Sequence, residues 1–155
     1  MGEKSEQVKR FRLPPTYFNF SWITMVILNF TIPGYRFLLF PYTLVGILLM
    51  VPGLWMNLWA SKYFNTVGTT VKPFQVSEQL VTTGFYRYSR HPMYLGMLLI
   101  LVGVFLFLGS LTPILVLPFF ILLINRRFIS PEEAMLLDRF GEAYEKYQKR
   151  VRRWI

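Results

Sequence analysis

Two short polar segments of an otherwise apolar chain hold the side chains best suited to chemistry. Ser77–Tyr94, reading SEQLVTTGFYRYSRHPMY, offers Arg90 and His91 as cationic or hydrogen-bond-donating groups, and Tyr86, Tyr88 and Tyr94 as aromatic faces with polar tips. Ser130–Glu133, reading SPEE, offers the carboxylates of Glu132 and Glu133. Together these types suit a zwitterionic, partly aromatic ligand. An amino-acid headgroup would place its carboxylate on Arg90, which can bond it bidentately, and its ammonium on a glutamate; a sulfonium could rest on tyrosine faces by cation–π attraction. Each residue also has a plainer reading. Ser130, Pro131 and Glu133 spell a helix start, with Ser130 as N-cap, Pro131 in the first turn and Glu133 closing a capping box, which leaves Glu132 as the carboxylate without a structural duty. His91 before Pro92 could simply end a loop, and Arg87, Arg90 and the tyrosines could be interfacial anchors.

The elements that must position these groups follow from the apolar runs between them. Leu13–Tyr35 and Phe37–Ser61 carry no charge, the second interrupted by Pro52-Gly53, and each is long enough to cross a bilayer core of about 30 Å. Pro92–Asn125 is uncharged for 34 residues, about 50 Å as one helix, too long for a single pass. Glycine and proline in Leu108-Gly109-Ser110-Leu111-Thr112-Pro113 divide it into a tight helical hairpin. Four spans result, at about 16–33, 42–61, 93–109 and 112–128, the first shortened by Pro33-Gly34 and so able to re-enter instead. The hairpin brings the start of span three beside the end of span four, so Arg90-His91 and Glu132-Glu133 can meet across 41 residues by topology.

Composition supports lipid as the solvent. Of 155 residues 54% are hydrophobic, 18% aromatic and only 16% charged, more apolar surface than one small core can bury. The 17 Lys+Arg against 8 Asp+Glu gather at the edges of apolar runs, a membrane-surface bias rather than a nucleic-acid-binding domain. Four basic residues lie in 1–12, one between spans one and two, four in 62–91 and eight from Arg126 onward. By the positive-inside bias, both termini and the 62–91 loop face the cytoplasm. No cleavage site for a signal peptide stands out. Zero cysteines exclude disulfides, thiolate catalysis and Cys-ligated metals, and a single histidine excludes a His-rich metal site. From Ser130 to Ile155 the apolar Leu137, Phe140, Tyr144, Tyr147, Val151 and Trp154 recur at three- and four-residue spacing among Arg139, Lys146, Lys149, Arg150 and Arg153. This predicts one amphipathic helix lying on the cytoplasmic membrane face or packing back onto the central loop, with Trp154 near the headgroups.

Gly84-Phe85-Tyr86-Arg87-Tyr88-Ser89-Arg90-His91-Pro92-Met93-Tyr94-Leu95-Gly96, then Glu132-Glu133, then Phe140-Gly141-Glu142-Ala143-Tyr144-Glu145-Lys146-Tyr147, resembles the isoprenylcysteine carboxyl methyltransferase and phospholipid methyltransferase family of integral membrane enzymes, over about residues 76–155. The resemblance implies an all-α polytopic membrane protein: a single domain whose 1–75 portion holds spans one and two and whose 76–155 portion binds the cofactor. It implies methyl transfer from S-adenosylmethionine, bound at the cytoplasmic side, to a small lipophilic or lipid-attached acceptor (carboxylate, thiol or amine) arriving from the bilayer. The implied cofactor residues are Gln79, Leu80, Val81, Tyr88, Arg90, His91, Tyr94, Glu132 and Glu133, with Arg90 and Glu132 taking part in the chemistry; Gln79 stands where many members carry histidine. Trp55, Asn57 and Trp59, outside the resemblance, are expected to shape the acceptor's access. Both termini would be cytoplasmic, in the plasma or inner membrane of a prokaryote or the endoplasmic reticulum of a eukaryote. Two rival classes stay open: an NADPH-dependent membrane reductase of the sterol-reductase type, and a non-catalytic membrane adaptor using its basic tail.

Overall fold

The computed structural model describes residues 13–32, 34–66 and 80–155, so the 1–12 segment and Gln79 lie outside the described residues. Among these the regular elements are helical, joined by irregular segments, and an isolated bridge pairs Arg36 with Ser110. Helix α1 (Pro14–Thr31) begins with prolines in its first turn, where the missing N–H costs nothing. It turns Met25 and Asn29 inward and leaves Phe20, Ile23, Ile27 and Phe30 exposed. A 3-10 turn (Tyr42–Gly46) leads into α2 (Ile47–Thr66), which runs through Pro52 without breaking. Helix α3 (Pro92–Leu108) ends on Gly109, whose left-handed backbone, φ +69°, closes the helix and turns the chain.

Beyond that turn, a 3-10 turn (Thr112–Leu115), α4 (Val116–Ile124), a π-turn (Asn125–Ile129) and α5 (Ser130–Phe140) follow in unbroken succession. This differs from the expected helix start at Ser130: its backbone is already helical, at φ −62° and ψ −44°, and it makes no capping bond. Pro131 cannot donate to the carbonyl four residues back, and the wider π-turn just before it absorbs that defect without ending the helix. One extra residue in that turn also rotates everything after it by about 100°, which sets where Glu132 and Glu133 point. Likewise the single expected tail helix is two. Gly141, at φ +48° and ψ −123°, makes a corner between α5 and α6 (Glu142–Arg150), and Val151 is extended.

Among the described residues two helical stretches are long and apolar enough to cross a membrane, Tyr42–Tyr63 and Thr112–Phe140. The second spans about 43 Å at 1.5 Å per residue, well beyond a hydrocarbon core of about 30 Å. Were it to cross, the end past Arg126 and Arg127 would project out of the core. The 17-residue α3 is the buried centre: Met97, Leu101 and Phe105 pack with Met25 of α1, Phe120 and Ile124 of α4 and Phe128 of the π-turn.

Helices α2 and α3 lie antiparallel along a glycine seam. Gly46, at the end of the turn that leads into α2, faces Gly103, and Gly53 faces Gly96, so both sides of the seam present glycines seven residues apart. A Cβ on Gly53 would stand 2.7 Å from the Gly96 carbonyl oxygen, and one on Gly103 would stand 2.6 Å from that of Gly46. In lipid no hydrophobic gain drives helices together, so such close backbone approach supplies the packing that holds them.

Candidate active site

The site forms where the Pro92 end of α3 meets α5. The segment feeding α3 is pinned from two sides. On one side Gly84, at φ +61°, tucks against the Trp59 indole of α2, where a side chain would collide. Phe85 inserts edge-on between Trp55 and Trp59, with ring centroids 5.5 and 4.9 Å away, and the Tyr63 and Thr83 hydroxyls meet at 2.8 Å. On the other side the tail holds it: Tyr147 Oη donates to the Tyr86 carbonyl (2.7 Å), Arg90 N–H donates to the Arg152 carbonyl (3.1 Å), and Ser89 Oγ donates to the Arg153 carbonyl (3.3 Å). Tyr144, Tyr147 and Val151 bury themselves against Leu80, Leu136 and Phe140. The tail thus packs back onto the central loop, the second of the two placements its periodicity allowed, and Trp154 rests partly buried on the α1/α3/α4 core.

Glu133 is the centre of the cluster and only 6% exposed. Arg90 Nη2 lies 3.0 Å from its Oε1, His91 Nε2 3.3 Å from the same oxygen, and Arg153 donates to both oxygens, its Nε at 3.2 Å from Oε1. Glu132, its neighbour on α5, reaches the other way: Tyr94 Oη donates to its Oε1 at 2.6 Å, and His91 Nδ1 stands 3.7 Å from its Oε2. The His91 and Tyr94 rings stack at 5.8 Å.

These surroundings push the two carboxyls apart. Burial works against ionising Glu133, but the hydrogen bonds from His91 and Arg153 and the positive charge of Arg90 overcome it and hold its pKa down to about 2. Burial raises Glu132 to about 7, with the charge of Glu133 adding to the rise and the Tyr94 hydrogen bond only partly opposing it. Burial also lowers His91 below its ordinary value, more strongly than Glu133 raises it, and the arginines add to the fall. At neutral pH the cluster therefore holds an ionised Glu133 between two arginines, a neutral imidazole, and a carboxyl at Glu132 near its midpoint.

Of the expected residues, Arg90, His91, Tyr94, Glu132 and Glu133 come together. Leu80 packs under the tail, and Val81 is partly buried beside it in sequence. Tyr88 does not join the cluster, its side chain being 75% exposed. Arg153 joins it unforeseen. Its sequence context offers one hint, the apolar Val151 and Trp154 within a basic stretch, but helical spacing assigns Arg153 to a solvated face, and only the extended backbone after α6 turns it inward. Of the three residues expected to shape the acceptor's access, Trp55 and Trp59 flank Phe85, whereas Asn57 Nδ2 donates back to the Gly53 carbonyl at 2.9 Å beside the glycine seam.

An all-helical membrane fold with a buried arginine–histidine–carboxylate cluster at one helix end is the class these features define. Residues 42–143 match the family model for phospholipid methyltransferase, and the chain belongs to that family. It is similar to the protein-S-isoprenylcysteine O-methyltransferase of Schizosaccharomyces pombe, with 38% identity over 72 residues, 46% of this chain and 30% of that one. It is also similar to an uncharacterised protein of Haemophilus influenzae, 44% identical over 63 residues, covering 41% of this chain and all of the relative. Among solved structures, the eukaryotic intramembrane Ras methyltransferase, an isoprenylcysteine carboxyl methyltransferase, shares the fold with a TM-score of 0.62 at 22% identity, over all of this chain and 53% of that one. The chain thus spans about a third of the length of the fission yeast relative and about half of that of the solved methyltransferase.

Proposed function

We propose that the chain transfers a methyl group from S-adenosylmethionine to a small lipophilic or lipid-attached acceptor at the cytoplasmic face of a membrane. In this reading α1, residues 42–61, α3 and residues 112–128 cross the bilayer, and the cluster sits just outside the hydrocarbon, with both ends of the chain on the same side. The observation that carries it is the donor set. Among the described residues Arg90 Nε is buried without a hydrogen-bond partner, which suits a carboxylate, and Glu132 keeps acceptor capacity beyond its Tyr94 bond, which suits an ammonium. S-adenosylmethionine supplies, when bound, a methyl on a sulfonium that is already a good leaving group. What remains for the chain is to bind, align and keep water away. Arg90 and Glu132 bind and orient the amino-acid headgroup. Trp55, Trp59 and Phe85 wall the loop on the α2 side, where an acceptor arriving from lipid meets aromatic rather than charged surface. An acceptor that already carries negative charge needs no base, and one that must lose a proton has Glu132 as the available carboxyl, since Glu133 is locked by three partners. The name of the fission yeast relative specifies an isoprenylcysteine acceptor, and the apolar access here suits an acceptor with a comparable hydrocarbon part.

Calorimetric titration of the detergent-purified protein with S-adenosylmethionine, S-adenosylhomocysteine and NADPH tests the reading. Binding of both adenosyl ligands, weakened at least tenfold by Glu132→Ala and by Arg90→Ala, is the expected outcome. Binding of NADPH alone, or of none of the three by folded protein, would overturn it.

A further inference from the structure

The segment Val151–Ile155 is a strap rather than a trailing end. Its backbone accepts bonds from Arg90 N–H and from Ser89 Oγ, its Trp154 packs on the core, and its Arg153 guanidinium grips both oxygens of Glu133. Glu133 in turn offers Oε1 to His91 Nε2 at 3.3 Å. An imidazole nitrogen beside a carboxylate fixed as an anion is driven to be the N–H, leaving the other nitrogen as the lone pair. That other nitrogen, Nδ1, faces Glu132 Oε2 at 3.7 Å.

We propose that Arg153 is a positioning residue: by fixing the Glu133 carboxylate it holds His91 as the neutral Nε2–H tautomer, with its Nδ1 lone pair presented to Glu132. The charged and titratable groups facing His91 are Glu132 and Glu133 from α5, Arg90 from its own segment, Arg153 from the strap and Tyr94 from α3. The two arginines outweigh the single charge of Glu133, so a further positive charge on the imidazole is disfavoured. Without Arg153, Arg90 alone would only offset Glu133, that repulsion would fall, and the imidazole would take up its second proton more readily. The tautomer rests on this geometry alone, and its bearing on methyl transfer rests on the cofactor reading above.

His91 is the chain's one histidine, so its imidazole nitrogens are a unique spectroscopic label. The test is a pH titration of the full chain in detergent, labelled with 15N-histidine and free of ligand, followed by nitrogen–proton correlation spectra of wild type, Arg153→Lys and Arg153→Ala. Wild type is expected to show the neutral Nε2–H pattern at pH 7. Arg153→Lys should retain it. Arg153→Ala should move the protonation midpoint of His91 upward by about one pH unit and mix the tautomers. A wild-type spectrum of the Nδ1–H tautomer or of imidazolium at pH 7 overturns the proposal whatever the variants do, as does a folded Arg153→Ala protein whose His91 titrates like wild type. Calorimetry with S-adenosylhomocysteine on the same wild-type sample decides the cofactor reading separately, since the tautomer is measured without it.

Discussion

The two ends of α3 are built from different chemistry. At its Gly109 end the chain closes with neutral groups: the Phe37 and Leu38 amides donate to the Gly109 carbonyl, the Leu111 amide donates to that of Tyr35, and buried Ser110 Oγ donates to Asn29 Oδ1 at 2.6 Å. At its Pro92 end the chain closes on an ionised, buried carboxylate held by two arginines and a neutral histidine. Both ends join segments remote in sequence, so joining them does not require charge. Charge is costly to bury, and replacing a buried ion pair with apolar groups is often neutral or stabilising. Its confinement to one end is why the proposed function places the chemistry there.

The largest effect is expected where a change breaks the helix packing between the two ends. Gly103→Leu puts a side chain where a Cβ already stands 2.6 Å from the Gly46 carbonyl and 3.0 Å from the Met50 amide, so α2 must leave α3. A loss of about 3 kcal/mol or more is expected, seen as aggregation or a collapsed thermal midpoint in detergent; a Gly103→Leu protein as stable as wild type would remove the seam from the account. Next comes Glu133→Ala, which breaks only the charged end. It strands Arg90 and Arg153 beside a neutral imidazole, and S-adenosylhomocysteine binding should fall at least a hundredfold in calorimetry. The alanine variants of Asn29 and Ser110 should bind within twofold of wild type, and an equal loss from either end would erase the contrast.

The charged end was more legible in the sequence than its scaffold. Hairpin topology alone brought Arg90-His91 to Glu132-Glu133, because a Gly/Pro break in a long uncharged run leaves the chain one compact way to fold. The four helical stretches follow the apolar runs for the same reason. The glycine seam was not read: Gly46, Gly53, Gly96 and Gly103 share a seven-residue spacing that becomes meaningful only once two particular helices are known to be antiparallel neighbours. At Ser130 the local signal misled, since SPEE satisfies every rule for a helix start and the π-turn that carries the helix past it has no comparable signature. Arg153 was assigned to a solvated face because the periodicity of α6 does not continue past Val151.

The pH dependence sharpens the contrast within the charged end. Glu132 has a folded pKa near 7 against 4.5 for an unburied glutamate. Its contribution to stability is therefore present below 4.5 and lost as pH rises through 7. Glu133, held near 2, contributes above 4.5 and loses that contribution as pH falls toward 2. His91, lowered from 6.5, adds a loss on acidification from 6.5 downward, which opposes Glu132. Only a difference measurement isolates one group. Glu132→Gln should be stabilised relative to wild type progressively from pH 4.5 to 7 in thermal midpoint, and a constant difference across that window would show that Glu132 does not titrate there.

The smallest effect is expected at the neutral end, and its sign under double substitution is the informative part. Ser110→Ala removes the donor to Asn29 Oδ1 and leaves a buried amide oxygen without that partner, a cost of about 1 kcal/mol for an interhelical hydrogen bond in a membrane protein. Replacing Asn29 as well, by leucine of similar volume, removes the stranded group, so the double variant should recover most of that loss, because apolar replacement of both partners approaches neutrality. Unfolding midpoints of Ser110→Ala, Asn29→Leu and the double variant form the cycle. A strictly additive result would show that the two side chains are not coupled and that the backbone bonds at Gly109 alone close this end. The corresponding apolar replacement at the other end, Glu133→Leu with Arg153→Met, still strands the buried Arg90, so it should return less of the stability and none of the S-adenosylhomocysteine binding. On the proposed function, that asymmetry has charge serving the ligand at one end of α3 and neutral bonds serving the fold at the other.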